Sequence, residues 1–325
     1  MANANDPNQP EVTPSGTLAI GTGKNNRRKK WNHFLRSATP YILISPVIIY
    51  YALFWLRPVF TLVIDSFTSA ETAGLTLANF SLVFQDPSFW PAVRNTTLIV
   101  VFSVTLEFIL AMLLALLINQ KFPGSSAFLF IAMIPMALPA MAVAAMWQTG
   151  LTSHGWINSL LYYLGFLAEG DKIYYLTGSD VKNLILIIFV DAWTVIPSVM
   201  IILLAGLQNL PDAMKEAGYV FGGGWGTVMR KITLPMLKPT IQTAVILRLI
   251  AAIQIWLIIV MLFGFNRLPV LVERIVYYSD EVSGLNNSYQ LAAAYTIIVS
   301  LVVSIAAVIF LQVSGAFKKS PEDKR

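Results

Sequence analysis

The chain has 325 residues, 56% of them hydrophobic and only 12% charged, with a mean hydropathy of +0.67 and a formal charge of +5. A water-exposed surface for a chain of this length needs far more charge, so composition excludes a soluble globular protein and indicates an integral membrane protein. Cysteine is absent, which excludes disulfides, zinc–thiolate sites and cysteine nucleophiles.

Residues 1–23 are rich in Asn, Pro, Thr and Gly, and the basic run KNNRRKK follows them within the tail 1–36, the wrong order for a cleavable signal. A disordered basic tail is expected there, with His33 and the distant His154 read as surface residues. From 37 to 315 six apolar segments follow, at about 41–64, 96–118, 127–148, 184–205, 240–263 and 290–313. Each is long enough to cross ~30 Å of hydrocarbon at ~20 residues. Each must be helical, because lipid offers no partner to an unpaired backbone group and a barrel would show alternation. The expected fold class is an all-α membrane protein of six spans. Pro46, Pro135, Pro139 and Pro197 fall inside spans, either as kinks that line a cavity or as packing irregularities. The connection 149–182 carries HGWINSLLYYLG and KIYYL, which read as interfacial helices at head-group level.

With the first residue inside, the inner segments hold fifteen Lys and Arg and the outer loops five. That bias places both termini, including the tail 316–325, in the cytoplasm.

The connection 206–239 is cytoplasmic on this count and far longer than a plain connector needs. Asn209 suits a helix cap and Pro211 a first turn. Leu210, Met214, Ala217 and Phe221 form an apolar stripe that Gly222, Gly223 and Gly224 end. A second stripe, Trp225, Val228, Met229 and Ile232, is expected to stop at Pro235. Such stripes either pack back on the bundle or are covered by a partner. No G-x-x-x-x-G-K-[ST] occurs, so the chain does not cradle nucleotide phosphates itself.

Glu216-Ala217-Gly218, then Gly222, then Ile232-Thr233-Leu234-Pro235 resembles the EAA loop of ABC importer permeases. Gly218 stands where alanine is usual, and Phe221 where an acidic residue is common. NFSLVFQDPSFWPAVRNTTLIVV, WTVIP and LQNLPDAMKEAG are similar to the carbohydrate-type subgroup, the permeases for maltose, other oligosaccharides and glycerol phosphate. The resemblance covers about residues 38–315. It implies the type I importer fold in a bacterial inner membrane and a second permease subunit, with a heterodimer expected. It also implies two cytoplasmic ATPases that bind the ATP and Mg, and an external solute-binding protein. No cofactor in this chain, no catalytic site and no nucleic-acid partner are implied. Glu216, Ala217, Gly218, Gly222, Ile232, Leu234 and Pro235 would be the ATPase-coupling residues, with Glu216 meeting a basic group.

Glu107, Asp191 and Arg248 are ionisable groups inside spans, where each costs ~2.5–3.5 kcal/mol or more at mid-bilayer. They read either as a structural pair, Asp191 with Arg248, or as a polar cavity for a hydrated solute. By the resemblance, the stretch from Trp193 to Pro197 lines a sugar cavity, with Asp191, Trp193, Thr194, Ser198 and nearby Val195 on span four. Arg248, Gln254 and Trp256 are the candidates on span five. Arg248 would suit an acidic sugar such as an alginate-type oligouronate, a hint that vanishes if Asp191 neutralises it. The competing reading is an ion-coupled secondary transporter using Glu107 and Asp191, which leaves the EAA loop unexplained.

Overall fold

The computed structural model describes residues 38–72, 74–279 and 283–315. The two tails and His33 lie outside them. The chain divides into two units, residues 1–61 and 62–325. Among the described residues the regular structure is helical, with one isolated antiparallel bridge between Thr68 and Leu75.

Five unbroken helices are long and apolar enough to cross a membrane, and a sixth span exists if a bent pair is counted as one. The first, α1 (Ala38–Ser66), carries a π-helical turn at Ala52–Leu56, and no described residue from 38 to 61 is buried. In the second unit, α2 (Ala78–Gln85) is short and leads into α3 (Phe89–Asn119). On α3, Ile99, Ser103, Glu107, Ala111 and Ala115 recur every fourth residue, and all are buried. The small side chains on this stripe let another helix approach closely. Helix α7 (Asp180–Gln208) does so, and the two pack more extensively than any other pair.

The segment expected as one kinked span at 127–148 is a broken one. Helix α4 (Ser125–Met133) tightens into a 3₁₀ turn at Ile134–Ala137, and α5 (Ala140–Gly150) leaves at 93°. Pro139 explains the break: it donates no backbone bond, and its ring drives Leu138 into an extended conformation (φ −84°, ψ 132°). Pro197, by contrast, is carried inside α7 without ending it. The short α6 (Trp156–Tyr163) follows, with Trp156, Tyr162 and Tyr163 exposed, as is His154.

After α8 (Asp212–Val220), α9 runs from Trp225 to Ile253. The stripe expected to stop at Pro235 therefore does not stop there. A π turn at Met229–Thr233 widens the helix just ahead of Pro235 and makes room for its ring, so the helix continues. Nor is Asn209 the cap of α8: α7 runs on to Gln208 and takes Asn209 as its own C-cap, leaving Pro211 at the N-cap of α8. The stretch expected as one span at 240–263 is also interrupted. It ends at Ile253 and resumes as α10 (Leu257–Phe263), with Gln254 and Trp256 at the break. No glycine or proline marks this interruption. Then α11 (Leu271–Ser279) packs against α12 (Ser288–Ser314).

Candidate functional site

Two places hold the residues singled out above: the 206–239 connection and the polar interior of the bundle.

In the connection, α8 ends in a left-handed turn. Gly222 has φ +80°, its N–H bonds the carbonyl of Tyr219 at 2.9 Å, and the N–H of Gly223 bonds that of Gly218 at 3.0 Å. This pair of bonds is the Schellman closure, and only glycine enters it without steric cost. The chain then reverses into α9, so Gly218 meets the second half of the motif. A methyl group on Gly218 would lie 2.6 Å from Cδ1 of Ile232 and 3.0 Å from Cγ2 of Val228. Gly218 and Ile232 are half-buried against each other, while Glu216 and Ala217 point outward on α8. Beside them Met214, Val220 and Phe221 are exposed, Phe221 by 90%. One part of the double stripe thus packs back on the bundle, and another part is left open. Leu234 is half-buried and Pro235 exposed.

In the interior, Arg248 on α9 lies between Glu107 on α3 and Asp191 on α7. Its Nε donates to Glu107 Oε2 at 2.5 Å, one terminal nitrogen donates to Glu107 Oε1 at 2.9 Å, and the same nitrogen pairs with Asp191 Oδ2. The hydroxyl of Ser103 stands 2.5 Å from Glu107 and 2.7 Å from Asp191, with one proton to give. All four residues are buried. The cluster clamps three membrane helices at one level, and Arg248 has both carboxylates as partners. The acidic-sugar hint from Arg248 therefore falls away. Glu107, on span two, was singled out for its charge; Ser103 was missed, although its place four residues before Glu107 on the α3 stripe was the available signal.

Trp193 meets Trp147 edge-to-face at 5.6 Å, and both pack with Trp256 around one apolar cluster. Thr194 and Ser198 spend their hydroxyls on carbonyls of their own helix, Val190 and Val195. Gln254 is exposed at the break after α9. The structure thus places Trp193 of α7 and Trp256, in the break between α9 and α10, against one apolar cluster, and pairs Asp191 of α7 with Arg248 of α9.

A second buried polar cluster had no motif to announce it. Asp86 Oδ2 accepts from Tyr295 at 2.5 Å, from Tyr278 at 3.0 Å and from Arg274 at 2.9 Å, while its Oδ1 accepts the N–H of Ser88 at 2.9 Å. Burial alone would raise the Asp86 carboxyl, but these donors and the Arg274 charge outweigh it and hold the group below the usual aspartate range. Burial and the nearby carboxylate push the Tyr278 phenol up to about 12, so it stays a donor. Next to it Glu273 accepts the N–H of Asn266 with one oxygen, and its other oxygen has no partner. Among the described residues no group of His, Asp and Glu is arranged to hold a metal.

A bundle of apolar helices with a glycine-closed hairpin leading into the fourth of its unbroken long helices is the architecture of a multi-span membrane protein. Residues 107–315 match the binding-protein-dependent transport system inner membrane component family, and the chain belongs to it. Among curated relatives, the chain is 31% identical over 230 residues to the trehalose/maltose transport system permease protein MalF of Thermococcus litoralis, covering 69% of this chain and 76% of that one. It is 33% identical over 230 residues to the sulfoquinovosyl glycerol transport system permease protein SmoG of Agrobacterium fabrum, covering 69% and 73%. Among solved structures, a chain of a bacterial ABC transporter involved in the import of the acidic polysaccharide alginate superposes with a TM-score of 0.77 at 23% identity, covering 90% of this chain and all of that one. That likeness establishes the type I permease fold.

Proposed function

We propose that this chain is one of two permease subunits of an ATP-binding-cassette importer for a sugar or oligosaccharide, and that α8 is the lever through which partner ATPases drive it. The observation that carries the coupling is the outward face of α8. Glu216 stands exposed among uncovered apolar side chains, on a hairpin whose inner face is locked by Gly218 against Ile232. Such a face suits a groove on another protein with a cation for Glu216. Closure of the ATPase pair would move α8 and α9 together, since the closure at Gly222 and the Gly218 contact join them. The tilt of α9 would then switch the path between two states. An external binding protein would deliver the solute, and both termini would lie in the cytoplasm of a bacterial cell.

The sugar class rests on the printed names of the relatives. For the path we assign Trp193, Thr194, Ser198, Gln254 and Trp256, because α9 breaks beside the tryptophans and broken membrane helices supply sites at mid-depth. Asp191 and Arg248 brace the helices that carry it. Their mutual pairing with Glu107 also argues against ion coupling through these carboxylates. The test is to purify the tagged chain in mild detergent, identify a co-purifying ATPase, and measure ATP hydrolysis with binding protein and candidate sugars. Sugar-stimulated hydrolysis is expected. Ion-driven uptake with no associated ATPase would overturn the reading.

A further inference from the structure

Between α8 and the adjoining ends of α3, α7 and α9 lies a partly enclosed cavity of about 160 Å³. Its polar lining is Lys215 and Tyr219 from α8, Asn119 and Gln120 from the end of α3, and Thr233 from the π turn of α9. Leu116, Leu207, Val228, Met229 and Trp225 supply the apolar wall. The coupling role of α8 uses the Gly218–Ile232 contact of this inner face but none of the polar side chains that line the cavity.

The side chains of Asn119, Gln120, Tyr219 and Thr233 have no hydrogen-bond partner among the described residues. Gln120 and Tyr219 are exposed and Asn119 is half-buried, whereas Thr233 is only 4% exposed, and its hydroxyl, which is not among the fully buried unpaired atoms, opens on the cavity. A polar group that reaches only a cavity is completed there by water or by a ligand. Lys215 provides the single charge. Its Nζ donates to Asp212 Oδ1 at 3.0 Å, but the Asp212 side chain is 83% exposed. That pair is screened by water and worth little, which leaves the ammonium available to an anion inside the cavity. Size narrows the class further. At about 160 Å³ the space is well under the ~300–1,000 Å³ of ordinary ligand pockets. It excludes an oligosaccharide and admits one small anionic group with a short apolar stem.

We propose that this cavity binds a phosphate group, free or on a lipid headgroup, held by the Lys215 ammonium and by the side chains of Asn119, Gln120, Tyr219 and Thr233. A phosphate offers the acceptors that these donors lack, and basic pockets between helix ends at a membrane surface suit lipid phosphates. On the coupling reading above, an occupant would tie α8 to the ends of α3 and α9 and so stiffen the lever.

The test reads binding on the full-length chain alone, so failure of ATP coupling neither produces nor hides the result. In one arm, delipidated chain in detergent is titrated with inorganic phosphate and glycerol 3-phosphate by calorimetry. In the other, native mass spectrometry compares retention of phosphatidylglycerol with that of a phosphate-free glycolipid. Saturable binding in the first arm identifies a soluble source, and preferential retention in the second a lipid source. In either, Lys215→Met should weaken binding about tenfold or more, Thr233→Val several-fold, and Lys215→Arg little. Asn119→Leu, at a helix end, serves if the buried Thr233 variant does not fold. Absence of binding in both arms, or binding indifferent to Lys215→Met and Asn119→Leu, overturns the proposal and leaves a water-filled gap.

Discussion

Arg248 on α9 donates to Glu107 on α3 at 2.5 Å, bringing together residues 141 positions apart. With Asp191 it forms a charge cluster that is almost wholly removed from solvent. Taking one member away leaves the others charged and unpaired, which typically costs about 3–5 kcal/mol. Arg248→Met should therefore lower the amount of folded protein and its thermal midpoint in detergent. The triple change Glu107→Gln, Asp191→Asn, Arg248→Met should recover much of the loss. Transport by folded Arg248 variants should fall alike for neutral and anionic solutes. Selective loss of an anionic one would return Arg248 to the solute path.

Glu216 lies outside every buried contact of the bundle. Glu216→Lys should leave insertion and thermal midpoint unchanged, while ATP-driven uptake falls by two orders of magnitude or more, because on the proposed coupling the lysine would repel the cation that Glu216 is to meet. Full uptake by this variant would sink the coupling role.

The turn between α8 and α9 depends on the left-handed conformation of Gly222. Gly222→Ala costs ~1–2 kcal/mol for that conformation, with open space around the new methyl. Proteolysis between residues 218 and 226 should accelerate, and coupling should weaken without loss of the spans. Gly224→Ala, where φ is −72°, is the matched control and should behave as wild type.

Asp86 links stability to pH. Its folded-state value lies below that of the unfolded chain, ~3.9. The contribution is thus complete above that value and is lost as pH falls through the lower folded one. The thermal midpoint of the wild type should drop over that acid window, whereas Asp86→Asn should start lower at pH 7 and fall less. Parallel profiles for the two proteins would remove Asp86 from the account.

Glu273 has the opposite sign. Burial raises its carboxyl, more than the N–H of Asn266 and the charge of Arg274 lower it. Its ionised form therefore burdens the folded state increasingly as pH rises above ~4.3. Glu273→Gln keeps the acceptor for Asn266 and removes the charge that burial disfavours, so it should raise the midpoint at pH 7. The gain should disappear at low pH. An unchanged midpoint at pH 7 would show that the carboxylate is solvated.

The apolar runs alone determined a helical membrane protein, because a backbone in hydrocarbon has no other way to satisfy itself. The Glu216 to Pro235 spacing likewise determined the hairpin and its family, since a glycine exit and a helical stripe are short-range signals carried within twenty-odd residues. Pro139 was visible as an irregularity, but whether a proline bends, breaks or is absorbed depends on what surrounds it: Pro139 ends a helix, Pro197 does not, and the π turn before Pro235 absorbs it. The break at Gln254–Trp256 has no local mark at all. Lipid forces buried charges to find partners, yet which carboxylates receive Arg248, and that Asp86 gathers Arg274, Tyr278 and Tyr295, only the packing of distant helices decided. Those choices span 57 to 209 positions of chain, far beyond the reach of any helical period.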